Sequence, residues 1–80
     1  MKTQKNILTL DKLPLNVTGY IYNINCNEII RRRLLDLGLV KDSAITPVLV
    51  NPFGDPRAFE VRGFLLAIRD EDTKLIDIYL

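Results

Sequence analysis

Residues 27–39, NEIIRRRLLDLGL, constrain this chain more than any other stretch, because they carry its one convincing helical period. Ile30, Leu34 and Leu37 recur at i, i+4 and i+7 and fall within one narrow arc of a helical wheel. Asn25 with Glu28 makes a capping-box pattern, and Asn27 is the alternative cap. Gly38 stands just past the stripe, where a helix end takes left-handed backbone. The spacing predicts about three turns of helix. Such a helix cannot cover its own apolar side, so the stripe must dock on a sheet made by the rest of the chain.

That sheet reads as short strands between turns. Residues 7–15 form a lead-in turn with Leu10 and Leu13 as core plugs. In residues 17–24 alternation sets Val17, Gly19 and Ile21 on one face, Tyr20 and Tyr22 on the other. Residues 44–50 make a further strand, in which Pro47 marks an edge or a bulge. NPFGDP, residues 51–56, is the densest turn signal, with Pro52 presetting φ, Gly54 in a conformation closed to other residues and Asp55 bonding loop amides. Residues 59–61 and 64–68 flank Arg62-Gly63, a two-residue hairpin in which Gly63 supplies positive φ. An acidic turn at residues 70–73 leads into a last alternating strand, residues 75–80. The expected fold is mostly β, a small, partly open antiparallel barrel of about five strands with one short α-helix, forming a single domain over residues 1–80. Periodicity assigns Val17, Ile21, Ile30, Leu34, Leu37, Ile45, Val61, Leu66, Ile68, Ile76 and Ile78 to its core.

The chemistry is mostly a set of exclusions. Eighty residues with 48% apolar and 26% charged composition are globular, and a net charge of +1 draws the chain to neither nucleic acid nor anionic lipid. The sequence has no histidine, so the commonest general base and transition-metal ligand are missing. Cys26, the one cysteine, fits a reducing compartment and a small buried hydrophobe near the helix start. Ser43, the one serine, has no base to activate it. Asp70, Glu71 and Asp72 lack the spacing of a calcium loop, and Gly38, Gly54 and Gly63 serve turns and caps, not a phosphate loop. No apolar run approaches the roughly 20 residues of a membrane span, and Asp11 and Lys12 interrupt any signal-like core at the N-terminus. A cytoplasmic, non-enzymatic protein without cofactor or metal is expected.

Such a protein acts by binding, so apolar groups left outside the core are the candidates for contact. On the helix these are Leu35, off the stripe, with Arg31 and Arg32 as its polar rim. Elsewhere they are Tyr20 and Tyr22 on the far face of their strand, Leu65 beyond the hairpin turn, and Phe53, which either stands out at its loop tip or folds back on the core. Consecutive arginines 31–33 splay around the helix, and Glu28 sits i, i+4 from Arg32, so local ion pairs are favoured over a nucleic-acid surface. Arg33 lies beside the stripe near Leu37, its stem packing and its head free to bond a neighbouring loop.

Taken in order, the motifs resemble the ferrous iron transport protein A (FeoA) family of small SH3-like barrels. The resemblance rests on Arg33-Leu34 with Leu37-Gly38-Leu39, on Pro52-Phe53-Gly54-Asp55-Pro56, on Arg62-Gly63 with Leu66-Ala67-Ile68-Arg69, and on Ile76 with Ile78. It departs at Asn16 and Asp42, where the family has glycine turns, at Pro47 in place of a strand aliphatic, and at Thr73 in place of alanine. The resemblance implies an accessory protein of ferrous iron uptake that binds the cytosolic GTPase part of the ferrous iron permease, with no nucleic acid partner and no membrane insertion. An alternative from a different class is a free-standing SH3-like interaction module related to the C-terminal domain of metal-dependent transcriptional repressors. A generic peptide-binding module is disfavoured by the meagre aromatic set. Oligomeric state is left open by these residues.

Overall fold

The helix forms where the apolar period predicts it, as α1, Glu28–Asp36, and its ends decide the open questions about capping. Asn27 is the cap, its side chain accepting from the Ile30 amide at 3.0 Å. Asn25 is engaged elsewhere, donating to the Asp77 carboxylate at 3.0 Å. At the other end Gly38 has φ +101°, the Leu39 amide reaches the Leu34 carbonyl and the Gly38 amide reaches the Leu35 carbonyl, each at 3.0 Å. Those two bonds define a Schellman turn, which satisfies carbonyls the helix end would otherwise strand.

The computed structural model describes residues 6–80; residues 1–5, the head of the charged N-terminal run, lie outside the described residues. The strands are β1 (Ile7–Thr9), β2 (Gly19–Ile24), β3 (Ala44–Val50), β4 (Arg57–Val61), β5 (Phe64–Ile68) and β6 (Ile76–Tyr79). They form one antiparallel sheet in the order β1-β6-β2-β3-β4-β5, with a 3-10 turn at Leu10–Lys12 and a short helix α2 at Asp70–Thr73. The fold class expected from the sequence holds, with a sixth strand added: the lead-in read as a turn starts as β1, paired Leu8 to Ile78 on the last strand. Among the described residues no helix is long and apolar enough to cross a membrane.

Turn chemistry explains the connections. Arg62 and Gly63 both take positive φ, 51° and 89°, the backbone of a type I′ hairpin. Asn16 and Asp42 also lie in the left-handed region, at 65° and 72°, the conformation that two of the short polar residues tolerate. In NPFGDP, the Gly54 amide bonds the Asn51 carbonyl at 2.7 Å, and Gly54 has φ +87°. Asp55 accepts from the Asp70 amide at 2.8 Å, tying this loop to the start of α2. Arg57 donates to the carbonyls of Asp11 and Leu13 at 3.1 and 3.0 Å and so fastens the lead-in to β4.

The core gathers Leu10, Leu13, Ile21, Ile24, Cys26, Leu34, Leu39, Ile45, Phe59, Val61, Ile68, Ile76 and Ile78, with Ile30, Leu35 and Leu66 half-buried against it. Gly19 belongs to the same packing, because a Cβ there would meet Ile78 Cδ1 at 2.7 Å. Three expectations are corrected. Val17 is exposed, because β2 starts only at Gly19. A register shift between Ile21 and Asn23 then re-phases the strand, so that Ile24 is buried. Leu37 is also exposed, because the helix ends at Asp36 and the Schellman turn sends Leu39 inward in its place. Leu35, expected outside, is half-buried and packs against the core. Pro47 does sit at a bulge, between the pairs at Pro47 and Leu49.

Candidate functional site

Turning Leu35 inward changes which face the helix shows. Its exposed apolar residue is Ile29, 75% exposed, which sequence reasoning missed because it sits away from the stripe and beside charged neighbours. Ile29 and Leu37 line a shallow groove of about 450 Å³ along the outer side of α1, with Glu28, Arg32, Arg33 and Asp36 around it. Glu28 is held by Arg31 at 3.7 Å and Arg32 at 3.3 Å, the expected local ion pairs. Among the described residues the Arg33 side chain makes no hydrogen bond or ion pair; the loop contact expected of its head is not formed. Arg62 takes that place near the helix end, its side chain lying so close over Gly38 that a Cβ at 38 would meet Arg62 Cδ at 2.7 Å.

The opposite flank of α1 brings three of the expected contact residues together. Tyr22, Arg31 and Leu35 line a groove of about 220 Å³ between the helix and β2, with Lys41 at its edge. The Lys41 ammonium lies 5.4 Å from the Tyr22 ring centroid, within cation–π range. Tyr20 stands on the same strand face as Tyr22 and packs on Tyr79, ring centroids 5.5 Å apart. The Tyr79 hydroxyl donates to the Asp42 carboxylate, and that bond holds its pKa above the ordinary value. Phe53 and Leu65 line none of the grooves beside the helix, the third of which runs between α1 and β5. Phe53 stands out at its loop tip, 94% exposed, which decides between its two sequence readings.

The nucleophile-bearing side chains are committed to structure. Ser43 Oγ donates to the Gly38 carbonyl at 3.0 Å and accepts from the Val40 amide at 3.2 Å, bracing the loop after the helix. Cys26 is buried, with its thiol on the Asp72 carbonyl at 3.6 Å. Burial, then the nearby Asp72 carboxylate, push the thiol pKa up, which keeps it protonated and poorly nucleophilic. Among the described residues no group of three or more His, Cys, Asp or Glu side chains converges to hold a metal ion.

A short helix packed on an open antiparallel sheet of this order makes an SH3-like fold. Residues 8–80 match the family model of the FeoA domain, and the chain belongs to the FeoA family. The fold is similar to that of the FeoA protein from Chlorobium tepidum, with TM-score 0.88 and 27% identity over 91% of this chain and 70% of that one. It is also similar to FeoA from Stenotrophomonas maltophilia, a prokaryotic SH3 domain protein solved with zinc, at TM-score 0.78 and 29% identity over 89% and 88% of the two chains. A manganese-dependent transcriptional repressor shares the fold at TM-score 0.83 over 96% of this chain and 43% of its own, at 13% identity. A comparison with curated proteins gives no match.

Proposed function

We propose that this chain is a non-enzymatic, cytoplasmic accessory protein of ferrous iron uptake that binds the cytosolic GTPase part of the ferrous iron permease. The observation that carries this reading is FeoA family membership across residues 8–80. A histidine-free sequence with its only cysteine buried and its only serine tied to backbone supports action by binding. The contact surface assigned to that role is the outer face of α1. Ile29 is the anchor, Leu37 extends the apolar patch, and Arg32 and Arg33 form a polar rim, the composition of a modest interface. Tyr22 and Arg31 on the other flank, Tyr20 beyond them, Phe53 at its loop and Leu65 on β5 remain secondary contacts.

The test is the double variant Ile29→Asp with Arg32→Glu, both at exposed positions. Its circular dichroism and melting should match the parent, while its retention by the purified GTPase domain falls by about tenfold or more. Normal retention of the folded double variant would remove the helix face from the proposal. No retention of the parent protein would remove the partner.

A further inference from the structure

Three elements meet at the groove of about 220 Å³ between the helix and β2. Helix α1 supplies Arg31 and Leu35, β2 supplies Tyr22, and the loop from α1 to β3 supplies Leu39 and Lys41. Its charged lining is of one sign: Arg31 and Lys41 border it and no carboxylate does. The other two grooves beside α1 each include a pair of acids, Glu28 with Asp36 in one and Glu71 with Asp72 in the other.

Both cations have an acid nearby, yet each acid has a second partner. Arg31 lies 3.7 Å from Glu28, beyond hydrogen-bond range, while Arg32 bonds the same carboxylate at 3.3 Å. Lys41 lies 3.5 Å from Asp42, whose carboxylate also accepts from the Tyr79 hydroxyl. These charged ends are largely exposed, and ion pairs of that kind contribute little. Glu28 and Asp42 therefore keep a partner when Arg31 and Lys41 turn to an incoming anion. Tyr22 adds a further donor, since its hydroxyl makes no hydrogen bond among the described residues. The floor is aliphatic, with Leu39 buried and Leu35 half-buried.

We propose that this groove is a carboxylate site, which takes a glutamate side chain from an acidic segment of a partner protein. Two cations without a lining acid select an anion, and the aliphatic floor selects how the anion is carried. The two methylenes of glutamate cover Leu35, and its carboxylate reaches the rim where Arg31 and Lys41 converge from different elements. The guanidinium offers a fork to both carboxylate oxygens and the ammonium adds a point charge. The groove is smaller than the roughly 300–1,000 Å³ of pockets that enclose a whole organic ligand, which suits a single side chain. A free inorganic anion would leave the floor uncovered. The site lies on the other flank of α1 from Ile29, and it stands whether or not the partner is the permease.

The test is an NMR titration of the full chain with the blocked tripeptide acetyl-Gly-Glu-Gly-amide. Saturable shifts at the amides of Tyr22, Arg31, Leu35 and Lys41 are expected, with millimolar affinity, and the same peptide with glutamine should bind about tenfold more weakly or worse. Arg31→Gln with Lys41→Gln, both at exposed positions, should weaken the glutamate peptide by a similar factor. Arg33→Gln with Arg69→Gln removes the same charge outside the groove and should leave binding unchanged. If the first double variant does not fold, the glutamine peptide on the parent chain still decides. Absence of saturable shifts overturns the proposal, as do shifts centred on Ile29 or equal binding of the glutamine peptide. Equal weakening by the two double variants overturns it too, by making the attraction one of overall charge. So does inorganic phosphate binding as tightly as the glutamate peptide, which would leave a general anion site.

Discussion

Asn16 and Asp42 stand at equal backbone cost and unequal value. Both have left-handed φ, and both occupy places that favour glycine. Asp42 also accepts a hydrogen bond from Tyr79, next to the Tyr20 ring. Asn16→Gly is therefore expected to be neutral or to stabilise by up to about 1 kcal/mol, while Asp42→Gly lowers stability, read from urea midpoints. Gly54→Val works in the opposite sense: nothing lies near its added Cβ, so the expected loss of about 1–3 kcal/mol is backbone strain alone. An unchanged midpoint would refute the left-handed turn at Gly54. Cys26 adds a dependence on pH. Burial lifts its pKa above the ordinary 9.0, so the unfolded thiol ionises first as pH rises. The stability this contributes is whole below pH 9.0 and is lost on going above it. Cys26→Ala should show a shallower fall in denaturation midpoint between about pH 8 and 11, the Tyr79–Asp42 bond accounting for part of what remains.

The elements differ in how far they announce themselves. The hairpin around Arg62-Gly63, the NPFGDP loop and the span of α1 were legible because each is set by neighbours in sequence: turn glycines, a helical period, a cap. Strand β1 was not, since three residues acquire strand character only by pairing with β6 at the far end of the chain. The orientation of α1 was legible only in part. Ile30, Leu34 and Leu37 fit one arc on an unbroken wheel, but the helix ends at Asp36 and leaves Leu37 exposed, while Leu35 packs half-buried against the core. The candidate site shifted with it, from Leu35 to Ile29. Two substitutions test that orientation. Leu35→Asp presses a carboxylate against the core and should cost about 2–4 kcal/mol. Ile29→Asp, at the solvent face, should stay within about 0.5 kcal/mol in the same thermal melts. The reverse ranking would return Leu35 to the surface.

At the scale of the whole molecule the proposed role in iron uptake meets a surface poor in iron ligands. Ferrous ion is held in proteins by imidazole, thiolate or clustered carboxylates. This sequence has no imidazole, and its thiol is buried and kept protonated. Several of its carboxylates are already engaged: Glu28 with Arg31 and Arg32, Asp70 with Lys74, Asp77 with Asn25, Asp55 with the Asp70 amide. Assembling three of them around one ion means breaking those contacts and bringing like charges together, a cost no single ion-pair gain in water offsets. Anaerobic titration of the chain with Fe²⁺ should therefore give no stoichiometric site, with calorimetric heats no larger than those of dilution. The stoichiometry of any contrary result is itself informative. One site per chain at micromolar strength would mean that carboxylates now paired rearrange around the ion. One site per two chains would mean that carboxylates of two copies are brought together around the ion at a contact between them.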